Sequence, residues 1–341
     1  MVVDGRAGSK WSVAYEELKV EIMEGGYEKG DRFLTTEEVC ERFNISNLTS
    51  RKVLDKLSRD NLIVRKPRIG SLIKNSIRRI YFFVPSFLQH VSSFTYSKML
   101  KGVIEEAGEQ GIDVEYIDEH MLKKKGEGHC IIVSYLWLFH WEDLLEGYDL
   151  VVLHAPEKLP GRHTIRHAIY EGAYKATEHL IDRGYKGIGF ISGPLKDMPW
   201  YLPRFEGYFD ALKDNGLAFD LSFVRETPTP NEEQEDRRAF EELLDLKDSP
   251  DAVFCANDRR ALHVLDYCND HGIRVPREIG VCGLDNIHET EISDPPLTTI
   301  DTHLERVGRE GLRLAVKVEE GEVDTIQDKV IDPELIVRKT T

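Results

Sequence analysis

From residue 80 onward, short apolar runs alternate with helical patterns, and this alternation constrains the fold more than any other feature. The runs have the length and composition of buried strands: IYFFVP (80–85), 112–117, CIIVSYL (130–136), LVVLHA (150–155), GIGFISG (187–193), DAVFCA (251–256) and 279–284. Helical patterns occupy 96–110, 173–183, 204–215 and 258–270. Strands separated by helices predict parallel sheets in a doubly wound α/β fold.

Candidate functional residues lie at the ends of several of these runs, at 85–87, 134–135, 257–258 and 285–286. Parallel sheets bind ligands beyond the carboxyl ends of their strands, so these positions are candidates for a binding site. Paired donors and acceptors come from Asn257, Asp258, Asp285 and the nearby Arg204, and flat apolar faces come from Phe87, Tyr96, Trp137 and Trp200. Sugar hydroxyls need paired polar partners and a sugar's C–H face packs on aromatic rings, so the mixture predicts a sugar site. Each residue alone has a structural alternative: Asp258 and Ser192 could cap helices, and Trp200 could be core.

The segment from residue 33 to residue 73 has a different pattern. A short helix (33–40), a turn (41–45), a polar helix (46–57) and two β-rich runs around a basic turn (62–73) follow one another. Thr35 with Glu38 matches a capping box, and Ser46 can cap the second helix. This order predicts a winged helix-turn-helix that reads the major groove of DNA, preceded by a helix over 11–23.

Candidate DNA contacts cluster at the start of the polar helix and in the basic turn. They are Thr36, Ser46, Asn47, Thr49, Ser50, Arg51, Lys52, Lys66 and Arg68. The start of a recognition helix is where side chains reach base edges, and its exposed amides favour a phosphate. A polar helix face is more often simply solvated, but a basic turn that follows at wing distance favours double-stranded DNA.

The charge is divided between the two parts of the chain. Residues 1–79 carry a net charge of +4 and the remainder carries −20, within a total of −16. The acidic part would be repelled by phosphates, which favours small-molecule or protein partners there.

Several other classes of protein are disfavoured. The five cysteines are scattered without CxxC spacing, so we expect a reduced cytosol and neither a disulfide framework nor a zinc site. His154, His163, His167 and His179 also lack metal-ligand spacing, and a structural role is favoured for each. No cofactor is expected. No segment resembles a signal peptide or a membrane span, so we expect a soluble protein that stays inside the cell and has no membrane partner.

Residues 11–74 resemble the winged-helix domain of the GntR family of bacterial transcription regulators. The segment GDRFLTTEEVCERFNISNLTSRKVLDKL (30–57) carries the likeness together with the wing. Family members usually have proline at Thr35, often arginine at Glu38 and Asn47, and often glycine at Arg68, whereas Arg51 keeps the usual arginine. The resemblance implies sequence-specific DNA binding, and these departures leave the operator sequence open.

Residues 80–341 resemble the effector domain of the LacI family, itself similar to periplasmic sugar-binding proteins. The segments that carry the likeness are 175–194, RFEGYFDAL (204–212), DAVFCANDRRAL (251–262), 271–286, PPLTTID (295–301) and 331–341. The resemblance implies two α/β lobes joined by three crossings, with the effector in the cleft. It also implies that Arg204 grips sugar hydroxyls, that Asn257 or Asp258 and Asp285 do the same from the second lobe, and that Phe87 and Tyr96 close the site from the first. Ala168 and Tyr185 replace the family's usual Asp and His, departures that look structural.

The pairing of these two parts resembles the regulators of arabinose utilisation. It implies a DNA-binding domain (1–74), a linker (75–79), and an effector and dimerisation domain (80–341). The linker and the dimer interface must together transmit the allosteric change. The expected function is a homodimeric repressor of a carbohydrate operon, released from operator DNA by a mono- or oligosaccharide or a sugar phosphate. The alternative is a sugar- or nucleotide-processing α/β enzyme, but no GxGxxG after the first strand, GxxxxGK[ST], HExxH or GxSxG occurs. A transport receptor is opposed by the expected lack of a signal peptide and by the DNA-binding pattern.

Overall fold

By the contacts among its residues, the chain divides into residues 1–80 with 110–115 and residues 81–109 with 116–341. We call the winged-helix part of the first unit (10–74) the head, and the part of the chain that follows it (79–341) the body. The computed structural model describes residues 10–24, 27, 30–60, 62–66, 70–74, 79–85, 94–122, 130–134, 141–196, 200–229 and 232–341. Among these residues, no helix is both long enough and apolar enough to cross a membrane.

The head is a winged helix-turn-helix, as the sequence predicts. Its described elements are α1 Lys10–Glu24, β1 Arg32–Phe33, α2 Thr36–Phe43, α3 Asn47–Arg59, β2 Ile63–Lys66 and β3 Gly70–Ile73. The three strands form an antiparallel sheet in the order β1-β3-β2. Thr35 and Glu38 form a complete capping box at α2, and α2 ends at Asn44 in the left-handed region, with φ 49°. Ser46 then caps α3.

A single apolar core holds the head together. Val53, Leu54 and Leu57 of α3 are fully buried against Leu18 of α1 and Val39 of α2. Full burial of each large apolar side chain contributes roughly 1.5 to 3 kcal/mol. Because these residues recur at helical spacing, one face of α3 is committed to the core and the opposite face is left to solvent.

The body alternates strands and helices throughout. Its first half contains β4 Arg79–Phe83, α4 Phe94–Gln110, β5 Asp113–Ile117, α5 Glu119–Leu122, β6 Cys130–Ser134, α6 Glu142–Leu145, β7 Asp149–Leu153 and β8 His163–His167. There follow α7 Ile169–Asp182, β9 Ile188–Ser192, α8 Tyr201–Asp214, β10 Val224–Glu226, α9 Glu233–Leu244, β11 Ala252–Cys255, α10 Asp258–His271, β12 Gly280–Cys282 and α11 Glu289–Ile292. The chain ends with β13 Thr299–Asp301, α12 Leu304–Glu319, β14 Asp328–Ile331 and β15 Glu334–Ile336.

These elements form two lobes. The sheet of the first lobe has the strand order β14-β8-β7-β6-β4-β5, and that of the second has the order β10-β9-β11-β12. Their described pairings are parallel. A separate antiparallel pair joins β13 to β15. The predicted two-lobed, doubly wound parallel α/β architecture is confirmed.

The described residues show three crossings between the lobes. The chain leaves the first sheet after β8, returns through β13 to α12, which packs on β6, β7 and β8, and leaves again after β14. Its last residues then bond to the second lobe, where the Val281 amide donates to the Thr340 carbonyl. The crossings bring the carboxyl ends of both sheets to one junction.

Two glycines let α12 lie directly against α4. A Cβ atom at Gly102 would stand 1.9 Å from the Glu305 carbonyl oxygen, and one at Gly308 would stand 1.9 Å from the Met99 carbonyl oxygen. The two helix backbones therefore touch, and any larger residue at either position would force them apart. This contact fixes the start of α12 beside the lobe junction.

Candidate DNA-binding surface and effector cleft

The outer face of α3 carries exposed polar and basic side chains. Asn47, Arg51 and Lys52 are exposed there, and Lys66 is exposed at the end of β2. Arg68 lies outside the described residues. The first four therefore stand on the surface that a recognition helix and its wing present to DNA, and their contact with a duplex remains a prediction.

Arg65 ties the wing strand to both helices of the motif. Its Nη1 lies 2.6 Å from Asp55 Oδ1 on α3, and its Nη2 donates to Thr36 Oγ1 on α2 at 3.3 Å. The strand that carries Lys66 is thus held beside α3, which places the basic wing and the recognition helix on one surface of the head.

Several predicted DNA contacts are engaged within the protein. Ser46 Oγ accepts from the Thr49 amide at 3.2 Å and lies 2.9 Å from Thr49 Oγ1. Ser50 is fully buried and its hydroxyl donates to the Thr36 carbonyl at 2.8 Å, so it joins α3 to α2. A side chain with no exposure cannot reach a base, and this placement removes Ser50 from the candidate contacts. Direct contacts by Thr36, Ser46 and Thr49 stay predictions.

In the body, three polar side chains of the first lobe end neighbouring strands. Ser134 closes β6, His154 follows β7 and His167 closes β8, and all three are buried. The two imidazole centroids lie 4.2 Å apart with an interplanar angle of 44°. Within the part of the chain that the structure describes, the Ser134 hydroxyl and both ring nitrogens of His167 have no hydrogen-bond partner. Such groups are costly to bury unless a ligand or water completes their bonds.

Arg204 and Asp285 meet them from the second lobe. Arg204 is buried on α8, where its Nη1 donates to the Trp200 carbonyl at 2.5 Å. Its Nη2 lies 3.6 Å from Asp285 Oδ1, and its Nε has no hydrogen-bond partner among the residues described. Asp285 has φ 124°, a strained conformation for a residue with a side chain, and its amide donates to the Ile300 carbonyl. The structure therefore brings together the two residues that the resemblance assigns to one ligand.

Electrostatics connect the two sides of the cleft. Burial, reinforced by the Arg204 charge, lowers the pKa of His154 to about 3 and the pKa of His167 well below its usual value. Burial raises the pKa of Asp285 to about 6, against the opposing effect of Arg204. At neutral pH the cleft thus holds neutral imidazoles beside a charged Arg204–Asp285 pair.

Asn257 and Asp258 lie at the start of α10, where both side chains form hydrogen bonds within the protein. The Asn257 side chain caps the helix by accepting from the Arg260 amide at 3.0 Å. Asp258 is fully buried, accepts from the Ile287 amide at 2.9 Å and is hydrogen-bonded to Thr299. Burial and the neighbouring Asp285 raise the pKa of Asp258 to about 8. The geometry favours the structural alternative for Asp258.

The predicted aromatic site residues differ in where they lie. Tyr96 is buried, its hydroxyl donates to the Phe83 carbonyl at 3.0 Å, and its ring packs on Phe82, so it belongs to the core of the first lobe. Trp200 is half-buried against Tyr201 and the second-lobe core, where its carbonyl orients Arg204. Phe87 and Trp137 lie outside the described residues.

A polar cavity adjoins the cleft at the start of α12. It measures about 300 Å³, and its walls include Lys98 from the first lobe, Asp285 and Asn286 from the second, and His303 and Arg306 beside α12. Asp285 thus has Arg204 on one side and open space on the other. Arg204 itself does not line this cavity.

His154 and His167 were not among the predicted site residues. Both follow strands, in LVVLHA and HTIRHA, so the rule that selected Asn257 and Asp285 applies equally to them. They were weighed only as metal ligands, for which their spacing is poor. Among the described residues, no group of three or more His, Cys, Asp or Glu side chains could hold a metal ion.

Comparison with known proteins gives matches for both units. A model described as bacterial regulatory proteins of the gntR family matches residues 11–73, and one described as a periplasmic binding protein-like domain matches residues 177–341. The HTH-type transcriptional repressor PurR of Pasteurella multocida is 33% identical over 238 residues, which cover 67% of this chain and 69% of that protein. PurR of Mannheimia succiniciproducens is 29% identical over 262 residues, covering 72% and 77%.

Solved structures share the same fold. The transcriptional regulator CelR in complex with cellobiose superimposes with a TM-score of 0.66 at 24% identity, covering 87% of this chain and 92% of that one. A LacI family transcriptional regulator from Mycobacterium smegmatis gives a TM-score of 0.62 at 26% identity, covering 77% and 98%.

Proposed function

Since the chain belongs to the LacI family of transcriptional regulators and carries a GntR-type head, we propose that it is a sugar-responsive repressor of a carbohydrate-utilisation operon. In this proposal the head binds operator DNA and a sugar in the cleft of the body releases it. The PurR relatives are transcriptional repressors, which supports a binding role over a catalytic one.

The observation that supports a sugar is a set of buried polar groups, contributed by both lobes, that have no hydrogen-bond partner among the described residues. These groups are the Ser134 hydroxyl and the His167 ring nitrogens of the first lobe and the Nε of Arg204 of the second, and Asp285 Oδ1 lies 3.6 Å from Arg204 Nη2. Each unsatisfied buried group costs roughly 1 to 3 kcal/mol. A polyhydroxylated ligand supplies donors and acceptors together, so it can satisfy this mixed set. CelR, which has the same fold, was solved with cellobiose, and this supports a sugar as the ligand class.

The release mechanism follows from where these groups lie. A ligand that bonds to His167 and Arg204 together stabilises an arrangement of the two lobes in which both reach it. Binding then shifts a two-state equilibrium toward that arrangement, and operator affinity changes because the two events are thermodynamically linked. We propose that the linker at 75–79 and a dimer interface in the body transmit the change.

A thermal-shift screen over neutral sugars and sugar phosphates tests the ligand class. A ligand present at a hundred times its Kd stabilises the native state by about 2.7 kcal/mol, which raises the melting temperature by several degrees. We expect at least one sugar to do so. If no sugar or sugar phosphate raises the melting temperature, the proposed effector class is wrong.

The proposed function also requires a dimer. One winged helix reads a half-site, and a two-fold dimer reads two half-sites spaced by about one helical turn or more. Sedimentation of the full-length protein should therefore show a homodimer at micromolar concentration. A strict monomer there, with or without operator DNA, would count against this assembly.

The basic face of the head should govern the salt dependence of DNA binding. Arg51→Ala and Lys66→Ala should each flatten the plot of log affinity against log salt by about one ion, because each removes one phosphate contact. Fluorescence anisotropy with the protein's operator at several salt concentrations measures this slope. Lys213→Ala, at an exposed position on the body, is the matched control and should leave the slope unchanged. Wild-type affinity and slope in both head variants would show that the DNA docks elsewhere.

A further inference from the structure

We propose that Leu48 reads the C5-methyl group of a thymine in the major groove and so contributes to operator specificity. The inference rests on the proposed function, because it requires the head to dock α3 against DNA. It adds an apolar base contact to a helix face whose candidate contacts are otherwise polar.

The exposure of Leu48 is the first observation. Its side chain is 80% exposed, and no other large apolar side chain of the described residues is as exposed. A single exposed leucine is common on protein surfaces, so exposure alone does not indicate a function, and the position of Leu48 in α3 is needed as well. Leu48 is the second residue of α3, in the turn that a recognition helix places against base edges.

The second observation is how few side chains in that turn remain available to bases. The hydroxyls of Ser46 and Thr49 bond to each other, and Ser50 is buried against α2. Asn47, Leu48 and Arg51 remain exposed. Residues three and four apart share a helix face, so Arg51 stands beside both of the others.

The chemistry of these three side chains assigns them different partners. Asparagine pairs with adenine and arginine with guanine through two hydrogen bonds, whereas the thymine methyl is the major-groove feature that an apolar side chain contacts. Leucine has no polar atom with which to read any other base. Leu48 therefore selects thymine by burying its methyl group.

The surrounding charges favour close approach of a duplex. Arg51 and Lys52 follow Leu48 on α3. The nearest acidic residue of the same helix face, Asp55, is paired with Arg65 at 2.6 Å, so its charge is offset. Phosphate contacts by the basic residues fix the register in which Leu48 meets one base pair.

The test replaces single thymines with uracil, which removes only the methyl group. Full-length protein first selects operators from a random duplex library. Each thymine of the selected site is then changed to uracil, and affinity is measured by fluorescence anisotropy. At one thymine of each half-site we expect uracil to weaken wild-type binding by about fourfold, the effect of losing one buried methyl group. Leu48→Ala should bind the thymine and uracil forms equally.

Val20→Ala is the matched control, since Val20 is an exposed apolar residue that belongs to α1 and not to the recognition helix. It should retain the full uracil penalty. A wild-type protein that shows no penalty at any thymine overturns the inference, and so does a Leu48→Ala variant that keeps the penalty, because Leu48 then faces another partner. Both results leave DNA binding intact. Failure to select any duplex would instead overturn the proposed function.

Discussion

Replacing Arg204 with alanine should lower the affinity of the cleft for its sugar by roughly 10- to 100-fold, with operator affinity in the absence of sugar near that of wild type. The substitution removes the charged partner of Asp285 and the donor that faces the ligand. Losing a hydrogen bond to a charged group costs about 1.5 to 3 kcal/mol, which gives the stated range. Calorimetry with the sugar found by thermal shift measures the first affinity, and a gel shift without sugar measures the second.

Two further variants make this result specific. Asp285→Asn keeps the shape of the side chain and removes its charge, and it should also weaken sugar binding. Arg274→Ala removes an exposed arginine that pairs with Glu278 at 2.9 Å, and sugar binding should be unaffected. Wild-type sugar affinity in both cleft variants would show that the pocket lies elsewhere and that the roles implied by resemblance do not hold in this chain.

Replacing Asp236 with alanine should lower the free energy of unfolding by about 3 to 5 kcal/mol, because it removes one partner of a buried ion pair. Asp236 and Arg260 are both 0% exposed, and Asp236 Oδ1 lies 3.3 Å from Arg260 Nε. His263 Nδ1 lies 2.9 Å from the other carboxylate oxygen. Urea unfolding followed by circular dichroism measures the change.

A double substitution separates the charge from the packing. Asp236→Leu with Arg260→Met replaces the pair by apolar side chains, and it should recover most of the lost stability because neither charge of the pair remains. Arg274→Ala serves again as the exposed control and should unfold like wild type. If Asp236→Ala also unfolds like wild type, the buried pair does not support the second lobe.

The strands with continuous apolar runs were predictable, and the reason is local. Residues 251–256 were expected to form a buried strand, and β11 occupies Ala252–Cys255 with all four residues buried. The helix caps of the head could also be predicted from the sequence, because Thr35, Glu38 and Ser46 lie within three residues of the groups to which they bond. Signals of this kind lie within one short segment, so they can be recognised in the sequence without knowledge of the tertiary structure.

Elements that owe their burial to distant partners were missed. The strand β8 reads HTIRH and has no apolar run, yet it lies between β7 and β14, where Arg166 forms an ion pair with Asp328 at 2.8 Å. The helix α9 is largely charged, and only its inner face, which includes Phe240 and Leu243, reaches the core. Polar sequences that are buried by long-range pairing give no periodic apolar signal.

The same limit applied to the candidate sites. Resemblance placed Arg204 and Asp285 together, but Tyr96 and Asp258 turned inward to Phe83 and Thr299. Whether a polar group at a strand end faces the cleft depends on partners that the local sequence does not contain. On the head, selecting polar residues alone included Ser50, which is buried, and passed over Leu48, which is exposed.

In the proposed function, a sugar in the cleft controls how tightly the head binds DNA. The most direct measurement is the operator Kd of the full-length protein with and without the sugar that gives the largest thermal shift. Allosteric coupling of about 1 to 3 kcal/mol should weaken operator binding by roughly 5- to 150-fold. An operator Kd that a saturating sugar leaves unchanged would contradict the coupling, and tighter binding would contradict release.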